Sequence, residues 1–162
     1  MCSSDLKREV PLTQFFLDQG RTVLDCSQEI LTQIRFPALR KNQGGCCLRL
    51  SGRKSLALPI FALAAVVAVE PDKRVIQDAA IAIGQVAPIP FRAAKAEAAL
   101  RGASLSKKIL EMAAQSAFEE SSPRSSLLRG SMEYRKEMVK VFVRRGLSRA
   151  LADAGVALGE GG

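Results

Sequence analysis

Any chemistry in this chain must be done without histidine, because none of its 162 residues is His. That removes the commonest general base, the commonest neutral metal ligand, and every Ser-His-Asp or Cys-His nucleophile. Four cysteines remain: Cys2, Cys26, Cys46 and Cys47. None forms a Cys-x-x-Cys pair, so no zinc site is implied, and adjacent Cys46 and Cys47 are poorly placed to bridge each other. All four read as reduced thiols of a cytoplasmic protein. The acids Glu119, Glu120 and Asp153 are scattered at helix ends, where charge is cheap. The glycine of Gly84-Gln85-Val86-Ala87-Pro88 belongs to neither the Gly-x-Gly-x-x-Gly pattern nor the phosphate-cradling Lys-Ser/Thr pattern. Lys and Arg number 24 against 16 acids, a formal charge of +8. Such a balance suits nucleic acid, an acidic partner subunit, or an ordinary solvated face. Nucleic acid is disfavoured because Tyr134 is the single tyrosine and the seven Phe sit in core-like positions, leaving no stacking platform. The residues support no catalysis by this chain alone.

The elements that would position these groups are organised about Ile81–Ala93. This stretch begins as an apolar strand, breaks at Gly84, turns through Pro88 and Pro90, and opens into an alanine-rich helix. Before it the chain reads as strands and after it as helices. Ile60–Val69 is a continuous apolar run, Glu70–Lys73 a turn, and Val75–Ile83 the returning strand of an antiparallel hairpin. The longest apolar run, Leu56–Val69, is too short to span a bilayer, and the N-terminus carries no signal pattern. Three helices are predicted. The first covers Phe91–Arg101, with Ala93, Ala96 and Leu100 on one face and Gly102 ending it. The second covers Ser106–Phe118, capped by Ser106, with a stripe of Ile109, Met112, Ala113 and Ala117. The third covers Ser131–Ala154, with Tyr134, Met138, Val141, Phe142, Leu147, Ala150 and Leu151 inward and Arg135, Lys136, Lys140 and Arg144 on the other side. Upstream, Ile30, Thr32, Ile34 and Phe36 alternate with polar residues at the period of a half-buried strand. Residues 38–47 read as a polar, glycine-bearing linker, and 155–162 as a frayed, flexible tail.

Several of these segments resemble one family in order. Gly84-Gln85-Val86-Ala87-Pro88-Ile89-Pro90-Phe91-Arg92-Ala93 resembles the Gly-Gly-Val-Ala-Pro-Thr-Pro-x-Arg-Ala segment in the C-terminal domain of the FAD-binding subunit of molybdenum hydroxylases, among them xanthine dehydrogenase and carbon monoxide dehydrogenase. Arg129-Gly130-Ser131-Met132-Glu133-Tyr134-Arg135-Lys136 is similar to that family's Arg-Gly-Ser-x-x-Tyr-Arg-Arg, although Leu127 stands where an Asp usually precedes. The segments Arg8–Phe16 and Glu29–Pro37 resemble the family's Arg-x-Val-Pro-Leu-x-x-Phe-Phe and Glu-x-Leu-x-x-Ile-x-Ile-Pro runs at the end of the FAD-binding domain. Leu48–Arg53 resembles a shortened Phe-x-Lys-x-x-x-Arg segment.

The resemblance implies an α+β fold: a small antiparallel sheet of about three strands packed on a three-helix layer. It implies that 1–37 is the remnant of an FAD-binding domain and 48–154 the C-terminal domain of the flavoprotein. It places Leu31 and Arg49 beside the flavin, with Arg149-Ala150-Leu151 ending the last helix and Arg129 pinning the loop before it. Without the upstream glycine-rich loops that hold the pyrophosphate, the chain alone is expected to retain no FAD. The implied setting is a cytoplasmic oxidoreductase complex. There FAD receives electrons from iron–sulfur clusters on a partner and passes them to an acceptor such as NAD, with the molybdenum cofactor on a third chain or domain. The part left to this chain is structural and docking. The other readings are a free-standing scaffold without redox partners and, behind it, a basic nucleic-acid-binding module.

Overall fold

The computed structural model describes residues 7–53, 58–70, 72, 74–124 and 130–156. The chain divides into two compact units between Phe36 and Pro37.

In the first unit, Pro11 starts a single helical turn, α1 (Leu12–Phe15), where a missing N–H costs nothing. Strand β1 (Phe16–Asp18) then pairs antiparallel with β2 (Arg21–Thr22), and Gly20 takes the left-handed turn position at φ 71°. What closes the unit is a charge-assisted clasp. The Arg8 guanidinium donates to both carboxylate oxygens of Glu29, at 2.5 and 2.7 Å, and to the Val23 carbonyl at 2.8 Å. The Asp25 N–H donates to the same carboxylate. The half-buried strand expected over Ile30–Phe36 does not form. Ile30 and Phe36 are 85% and 84% exposed. Alternation makes a strand only where a neighbour pairs its backbone and a face buries its apolar side, and the described residues of this unit supply neither to that segment.

The second unit is a four-stranded antiparallel sheet in the order β3-β4-β5-β6, with helices on one face. Strand β3 (Gln43–Leu50) begins inside the stretch read as linker; β4 is Phe61–Glu70, β5 Val75–Gly84 and β6 Phe91–Arg92. The helices are α2 (Ala94–Leu100), α3 (Lys107–Glu120) and α4 (Met132–Asp153). The expected α+β architecture is present, and β6 adds a short fourth strand taken from the predicted start of the first helix. Alternation in β4 sends Phe61, Leu63, Ala65, Val67 and Val69 to the helices. Beside it, Ile76, Ala79, Ile81 and Ile83 of β5 join the same core. Their spacing slips by one between Ile76 and Ala79, because the register shifts against β4 at Ala68/Val69; a bulge keeps both residues inward.

Ser106 and Ser131 cap α3 and α4, accepting from the Ile109 and Tyr134 N–H groups. The α2 face of Ala96 and Leu100 is fully buried, as expected, with Ala93 at its entry. Two stripes are displaced. In α3 the buried side is Leu110, Ala113, Ala114 and Ala117, while Met112 is half exposed. In α4 it is Arg135, Val139, Val143, Gly146, Leu147, Ala150 and Leu151, and Tyr134 lies outside at 46% exposure. Arg135 therefore leaves the basic face; its Nη1 donates to the Arg124 carbonyl at 2.5 Å. Val156 belongs to the packed body: it is buried, and its N–H bonds the Leu151 carbonyl. Expectations for Cys2, Pro71, Lys73, Leu127, Arg129 and 157–162 lie outside the described residues.

Helix α4 presses on the sheet backbone. A Cβ on Gly44 would lie 2.1 Å from the Ala150 carbonyl oxygen, and one on Gly146 would lie 2.4 Å from Leu63 Cδ2. Gly44→Ala opposes two backbones that cannot both stay in place, so it should cost about 3 kcal/mol. Gly146→Ala should cost less than half as much, because a Leu63 methyl can rotate away and the helix gains about 1 kcal/mol of propensity. Gly52→Ala, with open space around it, should change stability by less than about 0.5 kcal/mol. Urea denaturation of the three variants checks this order.

The clasp of the first unit makes a separate pH signature. Hydrogen bonding from Arg8 lowers the Glu29 carboxyl to about 2, with the Asp25 N–H acting in the same direction. A lowered folded-state value stabilises above the unfolded value near 4.5, and the contribution disappears as pH falls through about 2. Carboxylate NMR should show Glu29 titrating near 2, and Arg8→Gln should move it toward 4.5.

Candidate functional site

The turn after β5 is built by three constraints. Gly84 ends the strand, Gln85 adopts the left-handed conformation at φ 73°, and Val86 is fully buried. The Val86 carbonyl accepts the Ser122 N–H at 2.9 Å, which ties the turn to the exit of α3. The chain returns as β6, where Arg92 pairs with Ala82 and Phe91 with Ile83.

The charged group that fixes this return is Glu97. It is 8% exposed, and its Oε1 accepts the Ile81 N–H at 2.7 Å and the Arg92 Nε at 2.6 Å. One buried carboxylate thus joins β5, β6 and α2. Sequence reasoning missed Glu97; the signal available was a lone acid inside Ala-Lys-Ala-Glu-Ala-Ala-Leu, five residues after Arg92.

Two of the acids noted at helix ends, Glu120 and Asp153, are structural for a reason other than the one expected, while Glu119 accepts from Gln115 of its own helix. A carboxylate in the last turn of a helix opposes the helix dipole. Glu120 accepts instead from the Lys95 and Ala96 N–H groups at the start of α2. Asp153 accepts the outward Gly45 N–H of edge strand β3 at 2.9 Å. Each completes hydrogen bonding in a different element. No group of three His, Cys, Asp or Glu capable of holding a metal occurs among the described residues.

The face of the sheet turned from the helices carries mostly small side chains. Ala62, Ala64 and Val66 of β4 lie beside Ala80 and Ala82 of β5 and Cys47 and Arg49 of β3. Arg49 is exposed, and its Nε donates to Ser51 Oγ at 2.9 Å. Leu31, the other residue singled out, belongs to the first unit and is 51% exposed. Cys46 and Cys47 point to opposite faces, as neighbours in a strand must. Burial pushes the Cys46 thiol up, with the Arg149 charge opposing that shift, while Cys47 is exposed. Cys26, Cys46 and Cys47 are all free thiols. No described helix is long and apolar enough to cross a membrane.

The model of the CO dehydrogenase flavoprotein C-terminal domain matches residues 47–150. The xanthine dehydrogenase FAD-binding subunit of Escherichia coli O157:H7 is 29% identical over 149 residues, covering 91% of this chain and 50% of that protein. The structure of carbon monoxide dehydrogenase from Hydrogenophaga pseudoflava lacking the Mo-pyranopterin moiety superposes with a TM-score of 0.81 at 32% identity, over 90% of this chain and 49% of its own. Quinoline 2-oxidoreductase from Pseudomonas putida 86 gives 0.79 at 25% identity, over 92% and 50%. The chain spans about half the length of the curated relatives it matches.

Gln85 stands where the resembling segment has its second glycine, and it carries a positive φ. An L-residue there costs on the order of 1 kcal/mol relative to glycine. Gln85→Gly should therefore raise stability by about 0.5–1 kcal/mol, and β-branched Gln85→Val should lower it by more than about 1 kcal/mol. Opposite signs in urea denaturation would fit; a loss with glycine would contradict this account.

Proposed function

This chain belongs to the CO dehydrogenase flavoprotein C-terminal domain family, and from that premise we propose that it works as the C-terminal part of the FAD-binding subunit of a molybdenum hydroxylase. Its part is structural and docking. It supports the path by which electrons pass from iron–sulfur clusters through FAD to an acceptor such as NAD. The observation that carries the reading is the agreement of sequence and fold over nearly the whole chain, with 32% identity and a TM-score of 0.81 against a carbon monoxide dehydrogenase chain.

The residues present fit a supporting part. Among the described residues, Gly20 and Gly102 serve turns, and Gly44 and Gly146 serve close helix–sheet packing. Arg49 sits on the open sheet face with its charge exposed and its Nε oriented by Ser51. A guanidinium so placed can donate to an electron-rich edge of a flavin lying against that face. Leu31 supplies exposed apolar surface of the kind a planar ring covers. FAD, when bound by the whole subunit, supplies the electron transfer; this chain's residues orient and shield.

The test is copurification. Tagged full-length chain, recovered from its native cells, should bring down iron–sulfur and molybdenum-cofactor subunits together with flavin absorbance. The same chain purified alone should lack that absorbance. In the assembled complex, Arg49→Ala should weaken FAD retention about tenfold, as expected for loss of one charge-assisted hydrogen bond, while the subunits remain associated. Tight FAD binding or acceptor reduction by the chain alone would contradict the proposal.

A further inference from the structure

Helices α3 and α4 run antiparallel and leave a shallow groove of about 220 Å³ on their outer side. Ala114 and Val141 line its apolar part, Lys140 and Arg144 the α4 wall, and Glu111 and Gln115 the α3 wall. At one end lies the half-buried ring of Phe118. The Lys136 and Lys140 ammonium groups stand 4.6 and 3.9 Å from its centroid. Lys136, Lys140 and Arg144 are spaced one turn apart on α4, a cationic row of about 12 Å at the helical rise. Within this row one ion pair is present among the described residues, Lys140 with Glu137 of its own helix at 3.2 Å, so positive charge is in excess along it.

We propose that this groove docks an acidic amphipathic helix of a partner protein. Carboxylates four residues apart would face Lys136, Lys140 and Arg144, and an apolar side chain would enter between Ala114 and Val141. The inference rests on the docking part of the function proposed above and names its surface and chemistry. The charge row fixes the sign of the partner. The small apolar floor and the turn-length spacing fix its form, because helix-in-groove recognition reads side chains at one-turn intervals. Nucleic acid fits less well. The lysines occupy the Phe118 ring on which a base would stack: their ammonium groups stand 4.6 and 3.9 Å from its centroid.

The probe is a synthetic 16-residue helical peptide with Glu at every fourth position and Leu alongside, titrated into the full isotope-labelled chain. A scrambled peptide of the same composition and a short DNA duplex are the controls. The expected result is amide shifts confined to Glu111–Phe118 and Lys136–Arg144. Affinity should exceed that of the scrambled peptide about tenfold or more and weaken with salt. Lys140→Glu with Arg144→Glu should abolish binding of the Glu peptide and create binding of its Lys counterpart, a swap that a merely unfolded variant cannot produce. Equal binding of the scrambled peptide, shifts centred elsewhere, or tighter binding of DNA in the groove would each overturn the inference. Copurification of redox subunits is untouched by these outcomes, so the two proposals fail separately.

Discussion

The second unit depends on how closely α4 lies on the backbones of β3 and β4. Gly44 and Gly146 are the two places where any side chain would enter atoms already in contact across that seam. Close approach has a direct reward. With 5% aromatic residues the chain cannot fill wide gaps between layers. Its core must be thin, and alanine, valine and leucine reach packed density only when helix and sheet draw together. The glycines and the alanine-rich composition are therefore one design choice seen at two levels. Phe61, tilted 49° against Phe142 with 4.8 Å between ring centroids, marks one place where the layers hold larger groups.

Much of this was legible because its signals are local. The apolar run that forms β4, the serine cap of α3 and the glycine after α2 are local signals that tertiary packing reinforces. The helix stripes were harder to read. In α4 the inward face runs through Arg135 and passes by Tyr134. A reading that ranks residues by polarity turns the arginine out. The structure turns it in because a carbonyl at Arg124 accepts from its head group while its aliphatic stem packs. The segment Ile30–Phe36 fails for the complementary reason. Its pattern is that of a strand, but a strand is a relation between two segments, and one sequence window cannot supply the second.

Charge placement follows the same logic at longer range. Glu97, Glu120 and Asp153 each accept backbone N–H groups from an element other than their own helix. An acid at a helix C-terminus looks unfavourable within its own element and becomes favourable once another strand edge or helix start needs an acceptor. Desolvation makes the distinction matter most at Glu97, where the carboxylate is nearly enclosed. Removing Arg92 would leave a buried charge held by the Ile81 N–H alone, which is why the short β6 excursion is pinned as firmly as a longer strand would be.

The candidate site was legible only as exposed residues recognised by resemblance. Leu31 and Arg49 are exposed, and no periodicity marks them. For Arg49 that follows from the sheet face it occupies. The core side of the sheet is set by Leu, Ile, Val and Phe under α4, and each change there is a stability change. The opposite side, from Arg49 across Ala64 to Ala82, buries little and supports no layer of the described residues of its own unit. Substitutions on it can alter what lies against the sheet without loosening the helices beneath. A domain built this way places its core and its open surface on opposite faces of the same four strands.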